Sequence, residues 1–141
     1  MRRFERLFPR SVVRQALWEI DKLEKSLPNS LGQQLGFDVI KVKLRQHFVQ
    51  NPDRLCRAIQ DGQKIECIVL IVARNIVLDE LTSGEHMLIG TRNTMTGDGL
   101  ISLFDYLTSC FEKAGIETAE QARETKTGLR EMIKERFGLG H

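Results

Sequence analysis

The nineteen residues from Ile65 to Ser83, IECIVLIVARNIVLDELTS, constrain this chain more than any other stretch. Apolar residues dominate them, and Asn75 is the one turn-forming residue before Ser83. Such a segment has two solutions. One is a buried strand over Ile65–Ala73, favoured by the β-branched Ile65, Ile68, Val69, Ile71 and Val72, whose shape suits a pleated sheet. The other is one long buried helix. The apolar content runs on through Ile76, Val77, Leu78 and Leu81, and Ser83-Gly84 offers a helix stop, since glycine readily takes the left-handed conformation of a C-terminal cap. A helix that is apolar on nearly every side has to be surrounded by other helices. We therefore read 65–83 as a central helix. Its longest uninterrupted apolar run, Cys67 to Ala73, is far shorter than a membrane span.

The flanking segments supply the surrounding helices. All three prolines, Pro9, Pro28 and Pro52, precede the central segment, so no later helix is interrupted by one. Ser11 to Leu27 reads as a helix. Val13, Ala16, Leu17, Ile20, Leu23 and Leu27 recur at three- and four-residue steps, Ser11 serves as N-cap, and Pro28 ends it. Trp18 lies beside this stripe and would close its edge. Pro28 to Gly36 reads as a loop from its composition. Phe37 to Gln50 fits two patterns. Phe37, Ile40, Leu44 and Phe48 make a helical stripe, whereas Ile40, Val42 and Leu44 alternate with Lys41, Lys43 and Arg45 as in a strand; its length favours the helix. Asn51-Pro52-Asp53 starts a short helix that ends at Asp61-Gly62.

Beyond the central segment, Gly84 to Gly99 is a connector with four glycines. Asp98 to Ala114 follows as a helix with Leu100, Leu103, Phe104, Leu107 and Phe111 on one face, and Gly115 stands just past its end. Thr118 and Gln121 form a capping box for a last helix reaching Phe137. The expectation is a mainly α, single-domain bundle of five or six helices around the central helix 65–83, with a C-terminal helical hairpin of 98–115 and 119–137. The alternative is an α+β fold with short strands near 38–46 and 65–73. Residues 1–10 read as a basic arm and 11–141 as one helical domain. A chain of 141 residues is long enough for a single core.

Charge is unevenly distributed. Residues 1–30 carry seven Lys/Arg against four Asp/Glu, 31–60 five against two, 61–116 four against eight, and 117–141 five of each. A basic first part attracts phosphates or meets the acidic middle within the fold or across a dimer. The net charge of only +2 favours the internal pairing. The three cysteines, Cys56, Cys67 and Cys110, are widely spaced and contain no CxxC, so neither a disulfide framework nor a metal knuckle is indicated. With no secretory signal in MRRFERLFPR, the expected location is the cytoplasm.

Catalytic motifs are absent: the sequence has no GxSxG, HExxH, P-loop or GxGxxG pattern. No catalytic residue, metal site or cofactor is assigned. Asp79, Glu80, Glu85 and His86 cluster in sequence, but at no metal-binding spacing. If a site exists, the connector holds it, at His86, Arg92 and Asp98. For nucleic acid the candidates are Arg2, Arg3, Arg6 and Arg10 on the arm, with Lys41 and Arg45 on one face of a helical 37–50. Two functions fit. The leading one is a small cytoplasmic helical interaction or regulatory protein that contacts a protein partner or a second copy of itself. The alternative is a nucleic-acid-binding regulator using its basic first 60 residues.

Overall fold

The computed structural model describes residues 8–28, 31–83 and 93–137, and all of its regular structure there is helical. The helices are α1 (Pro9–Ser26), α2 (Leu31–Gln50), α3 (Pro52–Gln60), α4 (Ile65–Ser83), α5 (Asn93–Lys113) and α6 (Ala119–Phe137). The mainly α bundle is therefore correct. The α+β alternative is not: 38–46 lies inside α2 and 65–73 inside α4.

Helix α4 covers the expected 65–83 and packs on α1, α2 and α5. Ile68, Val69, Ala73, Val77 and Leu81 are its buried line, while Leu70, Val72, Ile76 and Leu78 are partly covered and lie against the same core. In α2 the helical stripe decides over the alternating one. Ile40 and Leu44 are fully buried, whereas Val42, which a strand would place on their side, is 61% exposed. A period of 3.6 residues puts it on the outer face.

The segment 28–36 is not a loop throughout, because α2 begins at Leu31. Its glycines are there for close approach. A Cβ on Gly99 would stand 2.5 Å from the Gly32 carbonyl oxygen and 3.3 Å from the Gly36 nitrogen. Only glycine permits two helix backbones to come so near. The same contact explains the second boundary error. Gly97 and Gly99 are buried within α5, which starts at Asn93 rather than Asp98. Glycines read as turn residues belong instead to a helix crossing.

The C-terminal hairpin closes as its caps dictate. Gly115 has φ +77°, its N–H donates to the Glu112 carbonyl at 3.1 Å, and the Ile116 N–H donates to the Phe111 carbonyl at 2.9 Å, a Schellman closure. The Thr118 N–H donates to Gln121 Oε1 at 2.9 Å and the Gln121 N–H to Thr118 Oγ1 at 3.1 Å, the reciprocal capping box. Helix α3 ends the same way at Gly62, whose φ is +97°.

A polar latch ties this hairpin to α4. Arg74 donates to both carboxylate oxygens of Glu117, at 2.7 and 3.1 Å, and to Thr108 Oγ1 at 3.2 Å. Its guanidinium stacks 3.6 Å from the Phe111 ring centre. Both ends of the pair are largely shielded, with 16% and 15% of their side chains exposed. Thr108, completely buried, passes its own proton to the Phe104 carbonyl at 2.9 Å. A bidentate, stacked arginine with every partner satisfied is the arrangement in which a shielded charge is tolerated.

Candidate functional site

The basic residues expected to face phosphate are engaged inside the bundle. Lys41 Nζ lies 2.7 Å from Glu24 and Arg45 3.3 Å from Asp21. Lys43 pairs with Glu80, a carboxylate that is otherwise buried. The charge asymmetry along the chain is thus partly resolved within the fold, with Lys43 of the basic part meeting Glu80 of the acidic middle. Arg10 is exposed in the first turn of α1, together with Arg14 one turn later; Arg2, Arg3 and Arg6 lie outside the described residues.

In the expected loop site, His86 and Arg92 also lie outside the described residues. Asp98 is exposed and stands inside α5, which begins five residues earlier, at Asn93. Asp79 and Glu80 diverge as adjacent helical residues must: Asp79 faces solvent and Glu80 faces Lys43. Among the described residues no three His, Cys, Asp or Glu side chains come together to hold a metal ion. No described helix is long and apolar enough to cross a membrane.

What the structure adds is an apolar outer face on α1 and α2. Among the described residues the large exposed hydrophobic side chains are Phe8, Trp18, Leu31, Val42 and Val49, at 57–69% exposure, and all belong to these two helices or the entry to α1. Trp18 does not close the edge of the core: it is 60% exposed, with Lys22 Nζ 5.3 Å from its ring centre. The ion pairs Glu24–Lys41 and Asp21–Arg45 rise along one helix as they fall along the other, so α1 and α2 are antiparallel. That register sets Trp18 at the level of Val49. Leu17, next to Trp18, lines a shallow apolar groove with Val13, Val49 and Pro52.

On α2 the exposed Val42 and Val49 and the half-buried Leu35 follow a line, spaced by seven residues, which returns to nearly the same angle on a helix. Asp38 and Arg45 flank Val42 on the same side, four residues before it and three after. The apolar excess that the sequence attached to 65–83 therefore lies elsewhere, because α4 is covered by α1, α2 and α5. The heptad spacing of Leu35, Val42 and Val49 was visible in the sequence. It was hidden by the stronger stripe of Phe37, Ile40, Leu44 and Phe48, and the two can be told apart only once one face is known to be buried.

The comparisons with known proteins add no family: no family model, no curated protein and no solved structure matches this chain.

Proposed function

We propose that this protein is a small helical interaction protein whose α1/α2 outer face binds a second copy of the same chain. The observation that carries this reading is the self-complementarity of α2. When two copies of α2 cross antiparallel with Val42 on the two-fold axis, Leu35 of each faces Val49 of the other, and Asp38 of each faces Arg45 of the other. A two-fold interface requires this reciprocity. Trp18, exposed on α1 at the level of Val49, adds a large aromatic of the kind enriched at interfaces. Arg45 holds Asp21 at 3.3 Å in the single chain, an exposed pair that solvent screening makes weak, so sharing it with a second carboxylate costs little.

Analytical ultracentrifugation of the full chain at micromolar concentration tests this. The expected result is a dimer that V42D converts to a monomer with unchanged helical circular dichroism. D38R, which sets a cation against Arg45 of the other copy, should weaken association and do so more at low salt. A wild-type chain that stays monomeric, or a dimer indifferent to V42D, would remove the reading.

A second reading, a nucleic-acid-binding regulator, draws on Arg10 and Arg14, which stand exposed at i and i+4 on α1 next to the basic arm. It requires retention on an RNA or DNA column at low salt and steep loss of binding as salt rises.

A further inference from the structure

Helices α2, α3 and α4 enclose a recess of about 380 Å³ on a different part of the bundle. Its walls are apolar, formed by Phe48 of α2, Leu55 and Ala58 of α3, and Ile68, Ile71 and Val72 of α4. Its polar groups are His47, Asn51, Arg54, Gln63 and Asn75. Each of these five can donate a hydrogen bond, and among the described residues no Asp or Glu lines the recess.

The polar groups are held in place. His47 packs edge-on against Phe48, with ring centres 5.1 Å apart. Asn51 donates from Nδ2 to the His47 carbonyl at 2.7 Å instead of capping α3. That bond fixes the bend between α2 and α3 and keeps His47, Asn51 and Arg54 on one side of it. Burial first, and the Arg54 charge second, hold the His47 imidazolium below its ordinary range. At neutral pH the ring is therefore uncharged and can donate one N–H without adding a second cation beside Arg54.

We propose that this recess binds a small carboxylic acid with an apolar body, its carboxylate on Arg54 and the neighbouring donors and its hydrocarbon part against Leu55, Ile68, Ile71 and Val72. Volumes above roughly 300 Å³ with apolar walls and a few convergent polar groups are the usual form of a small-molecule site. The sign of the ligand follows from Arg54, the one charged group in the lining, since the amides of Asn51, Gln63 and Asn75 can donate or accept equally. The apolar body follows from the walls. The site is independent of the α2 outer face, so the two proposals fail separately.

The test is a titration of the full-length protein with hexanoate, and in parallel with hexylammonium, followed by amide chemical shifts. Hexanoate should shift residues of Phe48–Ala58 and Ile68–Asn75, and hexylammonium should not shift them. R54Q alters an exposed residue outside the core, so the fold is kept, and it should weaken hexanoate about tenfold or more, as loss of a charged hydrogen bond does. A58F fills the recess from the α3 side and should abolish the shifts even if R54Q proves hard to interpret. No shifts with hexanoate, equal shifts with hexylammonium, or full hexanoate binding by both variants would overturn the proposal.

Discussion

Gly36 and Gly99 meet backbone to backbone: a Cβ on Gly36 would stand 2.6 Å from the Gly99 carbonyl oxygen and 2.9 Å from its carbon. This contact sets how closely α2 and α5 can cross, and with it the depth at which Phe37, Ile40, Leu100 and Leu103 become fully buried.

The first prediction follows from that distance. G36A has no flexible side chain to displace, so α2 and α5 must separate. The expected loss is about 2–3 kcal/mol, typical of overpacking a tight core. Gly128 is the contrasting case. It lies within α6 with nothing inside 4 Å of its would-be Cβ, and G128A should stabilise by about 0.5–1 kcal/mol through helix propensity. Urea unfolding of both variants measures the two values, and equal effects would contradict the close crossing.

Arg74 and Glu117 form the second case. R74M leaves the Glu117 carboxylate shielded and without its bidentate donor, at a cost of about 3 kcal/mol or more. R74K keeps the charge but loses the fork and the stacking on Phe111, so it should recover only part of the stability. Replacing both partners by apolar residues should come closer to wild type than R74M alone, because no stranded charge remains. Thermal unfolding of the three variants orders them.

His47 provides a pH test. Its folded-state pKa lies below the ordinary 6.5, first through burial and then through Arg54. The fold thus disfavours the imidazolium. The contribution of His47 to stability is fully present above the unfolded value near 6.5. It is lost as pH falls from there through the lowered folded value. An NMR titration of the ring should show a midpoint below that of the denatured chain. R54Q should raise that midpoint part of the way, since burial, the larger cause, stays. A midpoint unmoved by R54Q would contradict the placement of Arg54 beside the ring.

Cys110 allows a chemical test. Burial pushes its thiol up, partly offset by its hydrogen bond with Tyr106 and by Lys113. Tyr106 itself is tied to α1, donating to the Ser26 carbonyl at 2.9 Å. Iodoacetamide at mildly alkaline pH should therefore alkylate Cys110 more slowly than a thiol in the denatured chain, because the thiolate is the reactive form. A rate equal to that of the denatured chain would refute the raised value.

The helical class, and the helix ends where chemistry is local, were legible in the residues alone. The Pro52 start of α3, Gly115 and the Thr118–Gln121 box all follow from backbone groups that need partners within a few residues. The buried faces of α2 and α5 followed from periodicity for the same reason, since a period of 3.6 is a property of one helix. What the glycines and charges do depends instead on which helices pack together. Gly36 and Gly99 look like loop residues because glycine is a poor helix former, and only the neighbouring backbone reveals that the missing side chain is what the crossing requires. Lys41 and Arg45 look like a cationic face until Glu24 and Asp21 of another helix arrive beside them. Leu35, Val42 and Val49 were one of two stripes on a helix apolar on both sides, and packing alone chose that Phe37, Ile40, Leu44 and Phe48 would be the buried one.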